Sequence, residues 1–311
     1  MPDSDLNSLK NDLMSNIESD KDSRGDWEKT YREGLEYLGM KYEERSQPFE
    51  GASGVMHPLL SESVTQFQAQ AYNELLPSQG PVKTQVLGMT TPETEQQAAR
   101  VQEFMNYQLM QVMKEYDPET DQMLFYLPLS GSAFRKVYYD QNLGRAVSKF
   151  IPSEDLIVPY SATDLHSATR ITHVINMPMN DIRKLQQIGF YSDVDIDSGN
   201  MMADETDDIQ EGIDELQGVK PSYDDDDTCK VHEIHTELDI EGFEDMNAEG
   251  EDTGIKLPYI VTIGNNKVLS IRRNYKENDQ LKQRINYFVH YKFLPGLGFY
   301  GFGLTHMIGG L

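Results

Sequence analysis

FRKVYYDQNLGRAVSKFI, residues 134–151, is where the chain changes its hydrophobic period. Phe134 to Tyr139 reads as a strand, Gln141-Asn142-Leu143-Gly144 as a turn and Arg145 to Ile151 as a return strand. Two runs of aromatic and aliphatic residues around a glycine-containing turn signal an antiparallel hairpin. Before this point apolar residues recur mainly at steps of three and four; after it they mostly alternate. Helices first and antiparallel hairpins second make an α+β pattern, without the regular βαβ alternation of a parallel sheet.

Working outward toward the N-terminus, Met123 to Leu129 is an apolar helical segment. A longer helix precedes it, starting at Thr91-Pro92-Glu93-Thr94-Glu95, continuing through Ala98, Val101, Met105, Leu109, Val112 and Tyr116, and stopped by Asp117-Pro118. Met105, Met110, Met113 and Met123 suit either core filling, the commoner use, or an adaptable surface. The stretch GASGVMHPLLSESVTQFQAQAYNELLPSQGPVKTQVLG, residues 51–88, reads as loop, helix, break and strand. His57-Pro58 opens the helix and Leu60, Val64, Phe67, Ala71 and Leu75 form its apolar stripe. Pro77 and Gly80-Pro81 end it, and Val82, Thr84 and Val86 alternate like a half-buried strand. Trp27, Tyr31, Leu35 and Leu38 share another stripe, with Trp27 as a packing anchor, and residues 1–25 read as a flexible polar arm.

Toward the C-terminus the expected elements are short. Leu156 to Val158 and Ile171 to Ile175 are strands, and Asp181 to Ile188 is an amphipathic helix closed by Gly189. Val231 to Ile240 alternates again. Tyr259 to Ile263 and Val268 to Ile271 flank Gly264-Asn265-Asn266 as a second hairpin, and Ile285 to Phe293 is a final strand.

The formal net charge is −25, unevenly spread. Residues 193–252 hold 23 acids and 2 bases, a net of −21, whereas residues 253–311 hold 8 bases and 2 acids, a net of +6. The acidic block 193–227 reads as a solvated linker or insertion, with an electronegative rim that repels phosphates as the functional alternative. One cysteine, Cys229, excludes an intramolecular disulfide. The N-terminus is unlike a secretory signal, and no apolar run of about 18 residues marks a membrane span.

Four stretches together carry a family resemblance: residues 51–88, MNYQLMQVMKEYDPETDQMLFYLPLSGSAFRKVYYD (105–140), FIPSEDLIVPYSATDL (150–165) and FLPGLGFYGFGLTHMIGG (293–310). In these the chain resembles the portal protein of tailed bacteriophages, the type of short-tailed phages. The resemblance implies a wing-like α+β core over 26–192, hairpins over 228–293 and the start of a stem-directed helix at 294–311. Family members are usually longer, so stem, clip and channel loop would lie beyond residue 311. It implies a homo-oligomeric ring, usually of twelve subunits, at one capsid vertex of the virion, assembled in the host cytoplasm. Double-stranded DNA passes through such a ring. Its partners are the terminase, which supplies the ATPase, the capsid or scaffold and tail adaptor proteins. No membrane, cofactor, metal or catalytic residue is implied. A different virion connector module is the alternative, and a nucleotide- or calcium-binding protein a more distant one.

Four local patterns invite chemistry. Gly296-Leu297-Gly298-Phe299-Tyr300-Gly301 matches G-x-G-x-x-G after a strand, but bulky Phe299 and Tyr300 and the lack of a following acid favour a tight aromatic turn. Asp193-Val194-Asp195-Ile196-Asp197-Ser198-Gly199, with Asp204, resembles a calcium loop with a misplaced glycine. His232-Glu233-Ile234-His235 sits on a strand, where residues three apart diverge. No G-x-S-x-G elbow is present. Arg272, Arg273, Lys276, Lys282 and Arg284, with Tyr275 and Tyr287, form a basic segment. It suits contact with DNA phosphates, a solvated hairpin face, or acids of a neighbouring subunit.

Overall fold

The structure is a computed structural model that describes residues 3–38, 49, 58–196, 213, 228–246 and 251–308. It is an α+β fold with two compact units whose segments interleave along the chain. One unit joins Met1–Arg32 to Ser153–Asn286, the other Glu33–Pro152 to Tyr287–Leu311. This division cuts across the expected 26–192 and 228–293 blocks, because the 134–151 hairpin pairs with the last strand of the chain.

The first unit is built on a five-stranded antiparallel sheet of order β3-β4-β5-β6-β7. Its strands are β3 (Leu156–Ile157), β4 (Arg170–Pro178), β5 (Thr228–Leu238), β6 (Leu257–Gly264) and β7 (Lys267–Arg273). Every residue of β6 is buried. Asn265 and Asn266 make the β6–β7 turn with φ of 43° and 61°, the left-handed pair a two-residue hairpin needs. One sheet face packs Cys229, Val231 and Leu269 against Met179 and Ile182 of helix α6 (Met179–Gln187). The other packs Ile234, Val261 and Ile263 against Leu13 and Ile17 of helix α1 (Asp3–Asp22).

Helix α1 corrects the expectation of a flexible arm over residues 1–25. Leu9, Leu13 and Ile17 form an apolar stripe, and charged residues continue it. Asp20 Oδ2 accepts from Arg170 Nε at 2.9 Å and from Arg170 Nη2 at 2.6 Å. Arg24, 4% exposed, donates to the carbonyls of Ser153, Leu156 and Glu154 at 2.9, 2.9 and 2.7 Å and ion-pairs with Glu28 at 2.6 Å. Helix α2 (Gly25–Leu35) follows, with Trp27 stacked on fully buried Tyr31 at 5.9 Å, as an anchor should be.

The second unit holds a three-stranded antiparallel sheet of order β2-β1-β8, from β1 (Ser132–Asp140), β2 (Arg145–Ile151) and β8 (Phe288–Lys292). Helix α5 (Tyr116–Ser130) covers one face, burying Met123, Leu124 and Leu127 on Ala133. Phe67 and Ala71 of helix α3 (Leu59–Leu75) pack on that cluster.

Two local expectations fail here. Asp117-Pro118 does not stop a helix; Pro118 sits in the first turn of α5, where a missing N–H costs nothing. The break falls earlier, after helix α4 (Pro92–Tyr107) runs into a π-turn at Gln108–Val112. Residues 82–86 are extended without a strand partner. Their alternation serves α4 instead: Asn106 Oδ1 accepts from Val82 N at 2.9 Å, and Gln102 Oε1 from Thr84 N at 3.1 Å. The expected α4 start holds, with Thr91 and Thr94 capping each other's amides. Among the described residues no helix is long and apolar enough to cross a membrane.

Candidate functional site

The basic segment is mostly engaged within its own unit. Arg272 stacks its guanidinium over Phe190 at 4.1 Å. Arg284 donates to the carbonyls of Ala168 at 2.7 Å and Leu165 at 2.8 Å. Lys282 ion-pairs with Asp245, whose carboxyl is held below its usual range by Lys282 and Thr253. Arg273 reaches Glu277 at 3.5 Å in an exposed pair, and Lys276 is exposed. The segment thus meets an acid of its own chain at Lys282, and three of the five side chains make contacts within the unit.

The calcium-like run resolves into alternation. Tyr191 and Ile196 are buried in the α6-side core and Val194 packs against it, while Asp193 and Asp195 point outward. Ser192 N donates to Leu269 O at 2.7 Å, so this segment runs beside β7. Asp197 and Asp204, with most of the 193–227 block, lie outside the described residues. His235 is buried, its Nε2 2.8 Å from Glu233 Oε1, whereas His232 has the opposite strand parity. No group of three His, Cys, Asp or Glu among the described residues is placed to hold a metal.

The G-x-G-x-x-G stretch lies in the second unit and is filled by the chain itself. Residues 301–303 cross residues 129–131 at backbone contact. A Cβ on Gly301 would lie 2.4 Å from Gly131 O, and one on Gly296 would lie 2.1 Å from Tyr300 O. Phe299, 5% exposed, stacks on Phe134 at 5.9 Å and on His290 at 4.7 Å. Ser132 Oγ accepts from Gly301 N at 2.8 Å and contacts His290 Nε2 at 3.1 Å. Burial, and then Lys292, push the His290 pKa down to about 3. This resembles a serine–histidine pair, yet Ser132 is fully buried and presents no atom to a substrate. Helix α7 (Leu304–Ile308) closes the crossing, Thr305 Oγ1 donating to Leu129 O at 2.7 Å. Gly296 and Gly301 serve close backbone approach of the chain to itself.

What remains uncovered is α4. None of its sixteen residues is buried. Thr94, Ala98, Gln102 and Asn106 form the half-buried stripe that residues 82–84 line. Beside it Val101, Phe104, Met105 and Tyr107 are 51%, 61%, 43% and 55% exposed. Leu87 and Met89 on the preceding segment are each 88% exposed. The methionines divide accordingly: Met113 and Met123 are buried, while Met105 belongs to this open surface. Sequence periodicity found the helix but not which stripe faces out, because an apolar stripe reads the same whether its cover comes from within or from another chain.

Fold and surface together define an α+β protein in which, among the described residues, helix α4 has no buried residue. The scan against protein-family models finds no match, and no curated protein matches the chain.

Proposed function

We propose that the chain is a subunit of a ring-forming virion protein of the portal type, supplying its peripheral wing portion. The reading joins the four resembling stretches to one observation: α4 exposes Val101, Phe104, Met105 and Tyr107 on a helix with no buried residue. Contiguous exposed apolar surface marks an interaction site. A closed ring supplies its cover by a heterologous contact, in which one face of a subunit meets a different face of the next.

In this role the protein does no hydrolysis. The ring would sit at one capsid vertex, dock the terminase, conduct double-stranded DNA and join the tail. The G-x-G-x-x-G crossing supports this over a nucleotide-binding reading, since its first and last glycines, Gly296 and Gly301, are closed off by the chain's own backbone. A different head–tail connector would use the same surface, and images would separate the two by ring size and shape. The test is the native mass of the purified chain with negative-stain images of the same sample. Rings of about twelve subunits with a central hole are expected. A monomer at all concentrations would overturn the claim that this chain carries its own ring interface.

A further inference from the structure

The second unit carries two open hydrogen-bonding edges. The first is the extended segment 82–86 that precedes α4. Asn106 treats Val82 as a neighbouring strand does: its Oδ1 accepts from Val82 N at 2.9 Å and its Nδ2 donates to Val82 O at 3.1 Å. One helical turn earlier, Gln102 Oε1 accepts from Thr84 N at 3.1 Å, and Ala98 O accepts from the Thr84 hydroxyl at 3.0 Å. Successive residues of an extended chain turn their backbone groups to opposite sides. With Val82 and Thr84 turned to α4, Lys83 and Gln85 turn theirs away, and both residues are exposed. The segment is a strand held along one edge by side chains and open along the other.

The second edge is β8. It ends the β2-β1-β8 sheet, and among the described residues no strand pairs on its outer side. Val137 N donates to Tyr287 O at 2.8 Å, which turns the backbone groups of Val289 and Tyr291 to β1 and those of His290 and Lys292 outward. The other sheet edges differ. On β2, Glu119 Oε2 accepts from Phe150 N at 2.6 Å; on β7, Leu269 O accepts from Ser192 N at 2.7 Å; β3 is only Leu156–Ile157. An edge strand with unpaired backbone groups is a template for a strand of another chain.

The two edges fit each other. Each spans five residues, 82–86 and Phe288–Lys292. Every strand pair in this fold is antiparallel. In that order Lys83 and Gln85 meet outward-turned positions of β8 as hydrogen-bonded pairs. Val82, Thr84 and Val86 then fall beside Val289 and Tyr291, which are 44% and 36% exposed. Such pairs of β-branched and aromatic side chains stabilise neighbouring strands. Segment and edge are different surfaces of one chain, so their contact between copies is heterologous.

We propose that residues 82–86 of one copy add to β8 of the next as a fourth, antiparallel strand of its sheet. This deepens the ring reading, on which it rests for the presence of a next copy, and it sets a backbone contact beside the apolar stripe of α4.

The experiment mixes full chain carrying Val86→Cys with full chain carrying Val289→Cys or Tyr291→Cys under mild oxidation, with sedimentation of the parent alongside. Cys229 is buried, so the introduced thiols are the reactive ones. Position 86 faces 289 or 291 as a non-hydrogen-bonded pair, with Cα atoms about 4.5 Å apart, inside the roughly 4.4–6.8 Å that a disulfide bridges. A mixed disulfide dimer is expected with one of the two partners, and none from either single-cysteine chain alone. Adding Gln85→Pro removes an outward N–H and keeps both amide bonds to α4. The melting temperature then stays put while the mixed disulfide falls about fivefold or more. Gln85→Ala keeps the N–H and cross-links like the parent sequence. A parent that sediments as an assembly while no mixed disulfide forms overturns this proposal and leaves the ring reading with a different contact. A mixed disulfide undiminished by Gln85→Pro overturns pairing through the backbone. A parent that stays monomeric and gives no mixed disulfide overturns both readings.

Discussion

Gly131 and Gly303 pass each other with no room for a side chain: a Cβ on Gly131 would lie 2.3 Å from the Gly303 nitrogen. Gly131 also holds φ at +81°, which L-residues rarely adopt. Gly131→Ala therefore meets both strain and collision, and should lower unfolding stability by about 2–3 kcal/mol or more in urea denaturation. Gly298, with nothing within 4 Å of its Cβ position, is the internal comparison. Gly298→Ala should stay within about 0.5 kcal/mol of the parent. Equal losses at both positions would contradict a crossing that depends on Gly131 and not on Gly298.

Arg24 holds the N-terminal helix to its unit through three backbone carbonyls. Arg24→Met keeps the apolar stem but strips those acceptors of their donors in a buried place. Hydrogen bonds from charged groups contribute about 1.5–3 kcal/mol each, partly offset here by the desolvation of the guanidinium. A net loss of about 3 kcal/mol is expected. Hydrogen exchange should show amides of Asp3–Asp22 released ahead of those in β5 and β6. Uniform acceleration across the unit would mean that α1 and the sheet open as one.

Glu154 sits beside that anchor with its carboxyl buried. Burial, only partly offset by backbone and Ser153 hydrogen bonds and by Arg24, raises its pKa from 4.5 to about 7, and Asp155 adds to the rise. Because the folded value lies above the unfolded one, the fold favours the protonated form. Its contribution is complete below about pH 4.5 and is lost as pH climbs through 7. The difference corresponds to about 3 kcal/mol as an upper figure. Urea midpoints should therefore fall between pH 5 and pH 8 in the parent. Glu154→Gln, neutral throughout, should flatten that dependence; a variant as pH-sensitive as the parent would assign the effect to other groups.

These anchors also show where reading the sequence stops. The 134–151 and 259–271 hairpins were legible because strand alternation and turn residues are local signals, and the structure returns both with matching turns. Helix α1 was not, because its stripe of Leu9, Leu13 and Ile17 continues into Asp20 and Arg24. Charged residues read as solvent-facing unless their partners are known, and those partners lie about 130 to 150 residues away. Distance misled the basic segment in the same way: Arg284 looked available, yet it is tied to carbonyls of residues 165 and 168.

The α4 stripe separates folding from assembly most sharply. Val101 and Phe104 are more than half exposed, so charge at either site buries nothing unfavourable in the isolated subunit. Val101→Glu and Phe104→Glu should leave the melting temperature within a degree or two of the parent, since surface changes stay within about 0.5 kcal/mol. Buried against a neighbour, the same carboxylates would be desolvated without a partner, and assembly should weaken by tenfold or more. Sedimentation across a concentration series reads this directly. Leu60→Glu on α3, where Leu60 is 3% exposed, provides the contrast by destabilising the subunit itself. If the Val101 and Phe104 variants assembled like the parent, the uncovered stripe would not be the subunit contact, and the apolar pair Leu87 and Met89 would be the next surface to charge.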